Sequence, residues 1–440
     1  MARRPRAWML GLLVLATGAV MTSAQTAAAD PLRAIAERYV RLVLAVGQHD
    51  ADYVDAYYGP PEWRKEAEAT KVPLATLEQQ AAAIESDLAA SPATPAGAPD
   101  GELWALRRQY LTRQLSALRA KVQMLQGKTF TFDEESRALY DAVAPTHTEA
   151  EFQAVLAELE AKLPGDGPLI GRYDRYKQGF VIPPQRLDRV FQEAIRACRE
   201  RTRAYVQLPA GERFTVEYVT GKTWSGYNWY QGNYRSLIQV NTDLPIYIDR
   251  AVDLACHEGY PGHHVYNVLL EKNLMRDRGW LEYSVYPLFS PQSLIAEGTA
   301  NYGIDVAFSP EDRLAFERDV LFPLAGIEGD KAKGYYEILA LVERLSYVGN
   351  EAARRYLNGV IDRAGAESWL ERYGMYPKAR AEQRVRFIDQ YRSYVINYNL
   401  GKDLVRAYVE RQAGRPSTPA KRWTAFTALL SSPRLPSGLQ

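Results

Sequence analysis

Apolar residues recur at helical spacing over most of this chain, and that period leaves little room for any other architecture. Residues 149–163, EAEFQAVLAELEAKL, place Phe152, Val155, Leu156, Leu159 and Leu163 on one face at steps of three and four. Residues 103–125 and 185–205 behave similarly, with charged side chains on the opposite side. The period runs from Pro31 to about Arg203, returns after Pro245 and continues with interruptions to about residue 412. AASPATPAGAPDG (residues 89–101) reads as a loop, and the tail from Arg415 as partly loop.

The character changes near residue 212. ERFTVEYV (212–219) and NYRSLIQVNTD (233–243) are rich in Val, Thr, Ile and Tyr, with KTWSGYNWYQG between them. This pattern predicts a short antiparallel ribbon with an aromatic connection. Its second strand, Tyr234 to Asn241, is a candidate to run along a cleft and pair with an extended substrate. The expected fold is mainly α, a multi-helix architecture around a cleft with one small antiparallel β-ribbon. Residues 30–205 read as a helical scaffold and 206–440 as the catalytic region, either apart or as one continuous domain.

The first 29 residues read as a cleaved signal peptide. Arg3, Arg4 and Arg6 precede an apolar run from Trp8 to Met21, and small residues follow, with cleavage motifs ending at Ala24 or Ala29. The run is too short for a comfortable permanent span, and no cysteine follows it to carry a lipid. A periplasmic or secreted protein without a permanent membrane anchor is expected. The 54 Lys plus Arg nearly balance 53 Asp plus Glu, which excludes a nucleic-acid binder relying on a strongly basic surface. Losing three arginines and no acids with the leader moves the formal charge from +1 to −2. Two cysteines, Cys198 and Cys256, exclude a disulfide-rich scaffold and a four-thiolate zinc site. A bridge between them is conceivable after export, but spacing alone does not establish it. Cys256 is expected to face the core.

Three of the five histidines, His257, His263 and His264, fall within AVDLACHEGYPGHH (251–264), with Glu258 beside the first. Imidazole is the usual zinc ligand, and a neighbouring carboxylate can act on activated water. The common His-Glu-x-x-His spacing is absent. On a regular helix i+6 points about 240° round, and i+7 lies about 10.5 Å along the axis. Ligating atoms around one zinc must lie about 3–3.5 Å apart, so an unbroken helix fails. Pro261-Gly262 offers a bulge that absorbs two residues and brings His263 round. His263 is favoured over His264, and the choice stays open. Glu297, amid Leu294, Ile295, Ala296 and Ala300, is the best third ligand, and Asp305 its competitor. Asp253 is a candidate to orient a ligand histidine.

HEGYPGHH followed by Ala-Glu-Gly-x-Ala resembles the bacterial domain of unknown function 885 family, helical and often exported chains regarded as gluzincin-type zinc metallopeptidases. The layout covers roughly residues 30–410, with specific motifs from about 230 to 400. The resemblance implies one zinc ion held by His257, His263 and Glu297, with Glu258 as general base. Thr299 stands where many relatives carry tryptophan. Tyr391, Tyr394 and Tyr398 share a helical face, and the family's Tyr-x-x-Gly ending points to Tyr398 as the oxyanion donor.

The resulting expectation is an exported zinc-dependent peptidase acting on peptides. The alternatives are a zinc hydrolase of another amide or ester, with a small-molecule substrate, and a non-catalytic secreted binding protein. Arg235 and Lys222 are candidates to hold a substrate carboxylate. His49 and His147 stand isolated; for His49, in VGQHDADYVDAYYGPPEW, a loop or capping role is favoured over one in substrate binding.

Overall fold

Helices account for most of the chain because their apolar stripes find partners on several sides. The computed structural model describes residues 30–92 and 100–440. The leader, and residues 93–99 of the expected loop, lie outside the described residues. Helices Gly101–Leu125, Glu149–Lys162 and Leu187–Arg203 fall where the period puts them. The second is opened by a reciprocal Thr148–Glu151 capping box and buries Phe152, Val155 and Leu159. One hydrophobic cluster extends from Leu32 to Leu439, so the scaffold and catalytic stretches share a core. A satellite cluster joins Phe152, Val155 and Leu159 to Trp369, Leu370 and Tyr373. The tail is more ordered than expected: Thr418 caps a helix over Pro419–Leu430, which buries Trp423, Phe426, Leu429 and Leu430. Among the described residues no helix is long and apolar enough to cross a membrane.

The mainly helical class holds, while the strands pair differently from the expected ribbon. Two small sheets form. Strand β1 (Val54–Tyr57) pairs antiparallel with β5 (Val285–Pro287). Strands β2 (Arg213–Val219), β3 (Gly226–Gly232) and β4 (Arg235–Asn241) form a mixed sheet in the order β2-β4-β3. The segment expected as a connection is itself β3, and it forms the hairpin with β4. β2 runs parallel to β4 on the other side.

The hairpin turns at Asn233 and Tyr234, both at positive φ (53° and 61°), as a two-residue turn matched to strand twist requires. A tyrosine there is unfavourable, and Glu271 compensates. Its buried carboxylate accepts from the backbone N–H groups of Asn233 (3.1 Å) and Tyr234 (3.3 Å), and from Arg276 Nε (2.7 Å). Because β4 is paired on both sides, it cannot add a substrate strand, contrary to expectation. The edge left beside the cleft belongs to β3.

Candidate metal centre

The chain folds back on itself between the two histidines. Helix Asp249–Leu254 widens into a π turn over Ala255–Gly259 that carries His257 and Glu258. The backbone then reverses, and a new helix begins at His263. Gly262 makes the reversal possible. Its N–H donates to the Cys256 carbonyl at 2.9 Å, and a Cβ there would fall 1.8 Å from the His257 carbonyl oxygen. Any side chain is excluded at that distance. The expected two-residue bulge is thus a π turn followed by a break, and the i+6 spacing spans that break.

This reversal sets His263 Nε2 3.1 Å from His257 Nε2. Helix Pro291–Ala307 brings Glu297 Oε2 to 3.3 Å from His257 Nε2 and 3.7 Å from His263 Nε2. Two sides of the triangle fall within the separation of about 3–3.5 Å between donors sharing one zinc ion, and the third, at 3.7 Å, lies just beyond it. His257, His263 and Glu297 could therefore hold one metal ion. Glu297 is 6% exposed. Its Oε1 accepts from the Tyr394 hydroxyl at 2.8 Å, while Oε2 is buried with no hydrogen-bond partner. An anionic oxygen left bare at the meeting point of two imidazoles is what a cation site needs.

Electrostatics fit the same reading. Burial works against ionising Glu297, yet His263 and His257 outweigh it and hold the carboxyl well below its usual range. Burial depresses His263, and the Glu297 and Glu258 carboxylates overcome it, lifting the ring to about 9.

The supporting contacts were not legible in the sequence. Asn301, one turn after Glu297, presents Oδ1 to His257 Nδ1 at 3.1 Å, and its Nδ2 donates to the Tyr398 carbonyl at 3.2 Å. With the amide fixed in that sense, Nδ1 carries the proton and Nε2 keeps a lone pair for a metal. Asp253, the expected orienting residue, instead pairs with Arg250 (3.0 Å) and Arg313 (2.8 Å). Glycines set the distance between the next two helices. A Cβ on Gly298 would lie 2.5 Å from the Gly401 carbonyl carbon and oxygen, and one on Gly401 would lie 2.8 Å from Leu294 O. Helices Pro291–Ala307 and Ile396–Ala413 therefore cross backbone to backbone. That contact carries Tyr394, just ahead of the second helix, onto Glu297. Thr299 is fully buried and donates into its own helix, to Ile295 O at 2.7 Å.

Glu258 is 4% exposed, and burial raises its pKa despite the opposing His257 and His263 charges. Its Oε1 lies where a Cβ on Gly226 would come within 2.8 Å, so β3 runs directly over it. Asn228 of β3 donates to the Glu258 backbone carbonyl at 2.6 Å. Tyr398 is half-buried, its ring 5.8 Å from that of Tyr394, and its hydroxyl bonds to no protein group among the described residues. Glu297 and Glu258 both act on it electrostatically.

The remaining candidates lie elsewhere. His264 is fully buried, with Nε2 3.1 Å from Glu212 Oε2 and Nδ1 2.9 Å from Ser236 Oγ. Glu212 also accepts from Tyr260 (2.7 Å) and Arg199 (2.6 Å), which pins the turn behind the site. Asp305 pairs with Arg406 (3.1 Å) and Lys402 (3.5 Å), away from the histidines. Cys198 and Cys256 are bridged, Cα to Cα 5.7 Å, which ties helix Leu187–Arg203 to the π turn and removes Cys256 as a ligand. Arg235 and Lys222 are exposed. His49 bonds to the Val72 carbonyl at 2.7 Å, and His147 stacks near Tyr347.

No family model matches the chain, and no curated protein matches it. Solved structures offer partial likenesses. One is a provisionally described lipoprotein from Colwellia psychrerythraea, with a TM-score of 0.46 and 14% identity over 84% of this chain and 72% of that one. Another is an M32 carboxypeptidase from Deinococcus radiodurans R1, with a TM-score of 0.42 and 14% identity over 91% of this chain and 88% of that one. Likenesses this distant carry no argument about activity.

Proposed function

We propose that this chain is an exported zinc-dependent peptidase, with His257, His263 and Glu297 holding the metal. The observation that carries the reading is the unpartnered, buried Glu297 Oε2 within 3.3 and 3.7 Å of two imidazole nitrogens. Two nitrogens and one carboxylate oxygen suit zinc and leave a position open. Zinc, when bound, supplies the Lewis acidity that acidifies water and polarises a carbonyl.

The protein's own groups do the rest. Glu258, a buried carboxylate adjoining His257, takes a proton from the attacking water and returns it to the leaving amine. Its raised pKa moves it toward the range in which it can do both. The free Tyr398 hydroxyl donates to the oxyanion that develops on the scissile carbonyl. Tyr394 is committed to Glu297 and positions it. The leader pattern and the Cys198–Cys256 bridge support export to an oxidising compartment. The motif resemblance to the family of unknown function supports the same chemistry.

A digest of mixed peptides, read by mass spectrometry, tests the reading together with metal analysis of protein purified without added zinc. About one equivalent of zinc and defined cleavage products are expected, with Glu258→Gln keeping the metal and losing most turnover. Absence of metal alongside full activity would overturn it.

A further inference from the structure

One carboxylate at the cleft has no task in that scheme. Asp55 sits on β1, whose partner β5 leads directly into the helix that carries Glu297. β1 also packs against β3, the strand that runs over Glu258. Burial lifts the Asp55 carboxyl to about 6, and His263, Glu297 and Glu258 are among the ionisable groups that act on it. Tyr227 adjoins Gly226, the β3 residue that lies over Glu258, so its hydrogen bond to Asp55 places that carboxylate beside the strand covering the base. It forms no ion pair among the described residues. Its one hydrogen bond is from the Tyr227 hydroxyl to Oδ1, which leaves Oδ2 free. Tyr227 belongs to an aromatic group, its ring 4.5 Å from Trp229 and 5.4 Å from Trp224.

We infer that Asp55, held by Tyr227, receives the free ammonium group of the substrate, so that the enzyme takes peptides by their N-terminus. The inference rests on the peptidase reading and names its mode. A half-buried carboxylate is costly without a cation, and no protein cation lies within ion-pair distance of Asp55 among the described residues, His263 acting on it only from further off. A metal ion held by His257, His263 and Glu297 does not meet the need, because Asp55 is not among the convergent donors. A substrate ammonium does: it can donate to Oδ2 and lie against the neighbouring aromatic faces, a favourable surface for a cation. Tyr227 fixes the carboxylate before substrate arrives, so little ordering cost falls on binding. An acyl cap on the substrate nitrogen removes the charge and leaves Asp55 uncompensated, which penalises blocked peptides.

Paired peptides differing only in N-acetylation, with wild type, Asp55→Asn and Tyr227→Phe, test this. For wild type, acetylation should lower kcat/KM on the order of 100-fold, the scale of a lost charge-assisted contact. Asp55→Asn should cleave the free peptide far more slowly than wild type does, cleave the acetylated one no more slowly, and keep its metal, so that the preference disappears. Tyr227→Phe should lose part of the preference. Equal cleavage of both peptides by wild type would overturn the inference while leaving the peptidase reading intact. Metal loss in Asp55→Asn would overturn it too, and make Asp55 a support for His263. Calorimetric binding of leucinamide against N-acetyl-leucinamide gives a readout independent of turnover. If no peptide is cleaved, tighter binding of leucinamide that Asp55→Asn abolishes sustains the ammonium site while the peptidase reading fails. Equal binding removes both.

Discussion

The Tyr394 hydroxyl holds Oε1 of Glu297 at 2.8 Å and so turns Oε2 alone toward His257 and His263. One hydrogen bond divides the carboxylate between structure and chemistry. The single helical face expected for Tyr391, Tyr394 and Tyr398 is broken at Arg392, where φ is 52°, and Tyr394 and Tyr398, on successive helical segments, have separable duties.

Tyr394→Phe should weaken metal retention about 10- to 100-fold, the usual effect of losing a hydrogen bond to a ligand. Tyr398→Phe should leave retention unchanged and lower turnover. Competition against a chelator of known affinity, set beside rate measurements, separates the two. Equal metal affinity in all three proteins would remove Tyr394 from the ligand's support.

At the helix crossing, Gly298→Ala and Gly401→Ala each force a methyl into backbone 2.5–2.8 Å away. A cost of about 1–3 kcal/mol or more is expected, seen as a lower melting temperature together with weaker metal retention. Gly101→Ala, where a Cβ meets nothing within 4 Å, serves as the control and should melt as wild type does.

Acid should loosen the turn behind the site. Burial opposes ionisation of Glu212, but hydrogen bonds from His264, Arg199 and Tyr260 prevail and lower it to about 2. A depressed carboxyl stabilises the fold fully above its unfolded value of 4.5, and that contribution fades as pH falls from 4.5 toward 2. Burial lowers His264 below 6.5, so protons bind preferentially to the unfolded chain from pH 6.5 downward, with the same sign. Glu212→Gln should cost on the order of 3 kcal/mol at pH 7. The gap in melting temperature from wild type should narrow as pH falls below 4.5 and close only near pH 2. A gap that stays constant with pH would show that Glu212 acts through shape alone.

The Cys198–Cys256 bridge spans 58 residues of sequence. Replacing both cysteines by alanine should cost roughly 2–4 kcal/mol through the freed unfolded chain. The π turn loses its tether to helix Leu187–Arg203, so chelation should also strip the variant of metal faster. Unchanged melting of the double variant would mean that the bridge does not stabilise the fold.

The helical period made most of the helices legible, and residue chemistry brought out His257, Glu258 and Glu297. The break at Gly262 was anticipated in kind, because only proline and glycine could reconcile the histidine spacing with one ion. Other features depend on partners remote in sequence. β2 reads as a hairpin strand, yet its partner β4 lies parallel beyond an intervening strand, and local pattern does not encode that pairing. Asn301 and Tyr394 acquire their roles only when two helices cross at Gly298 and Gly401. Asp253 satisfied the spacing expected of an orienting residue, but two arginines reach it first. Asp55 lies more than two hundred residues before the other candidates, in a segment where only His49 drew notice, and β1–β5 pairing brings it to the cleft.

The glycine crossing also divides the molecule into parts that can change and a part that cannot. Where two helices meet without intervening side chains, their separation offers no dial for substitution to turn, so Glu297 and the tyrosines beside it form a fixed chassis. The walls made by β1 and β3 stand outside that constraint. An engineer seeking a new substrate should redesign residues on those strands, around Asp55 and Trp229, and leave the chassis untouched.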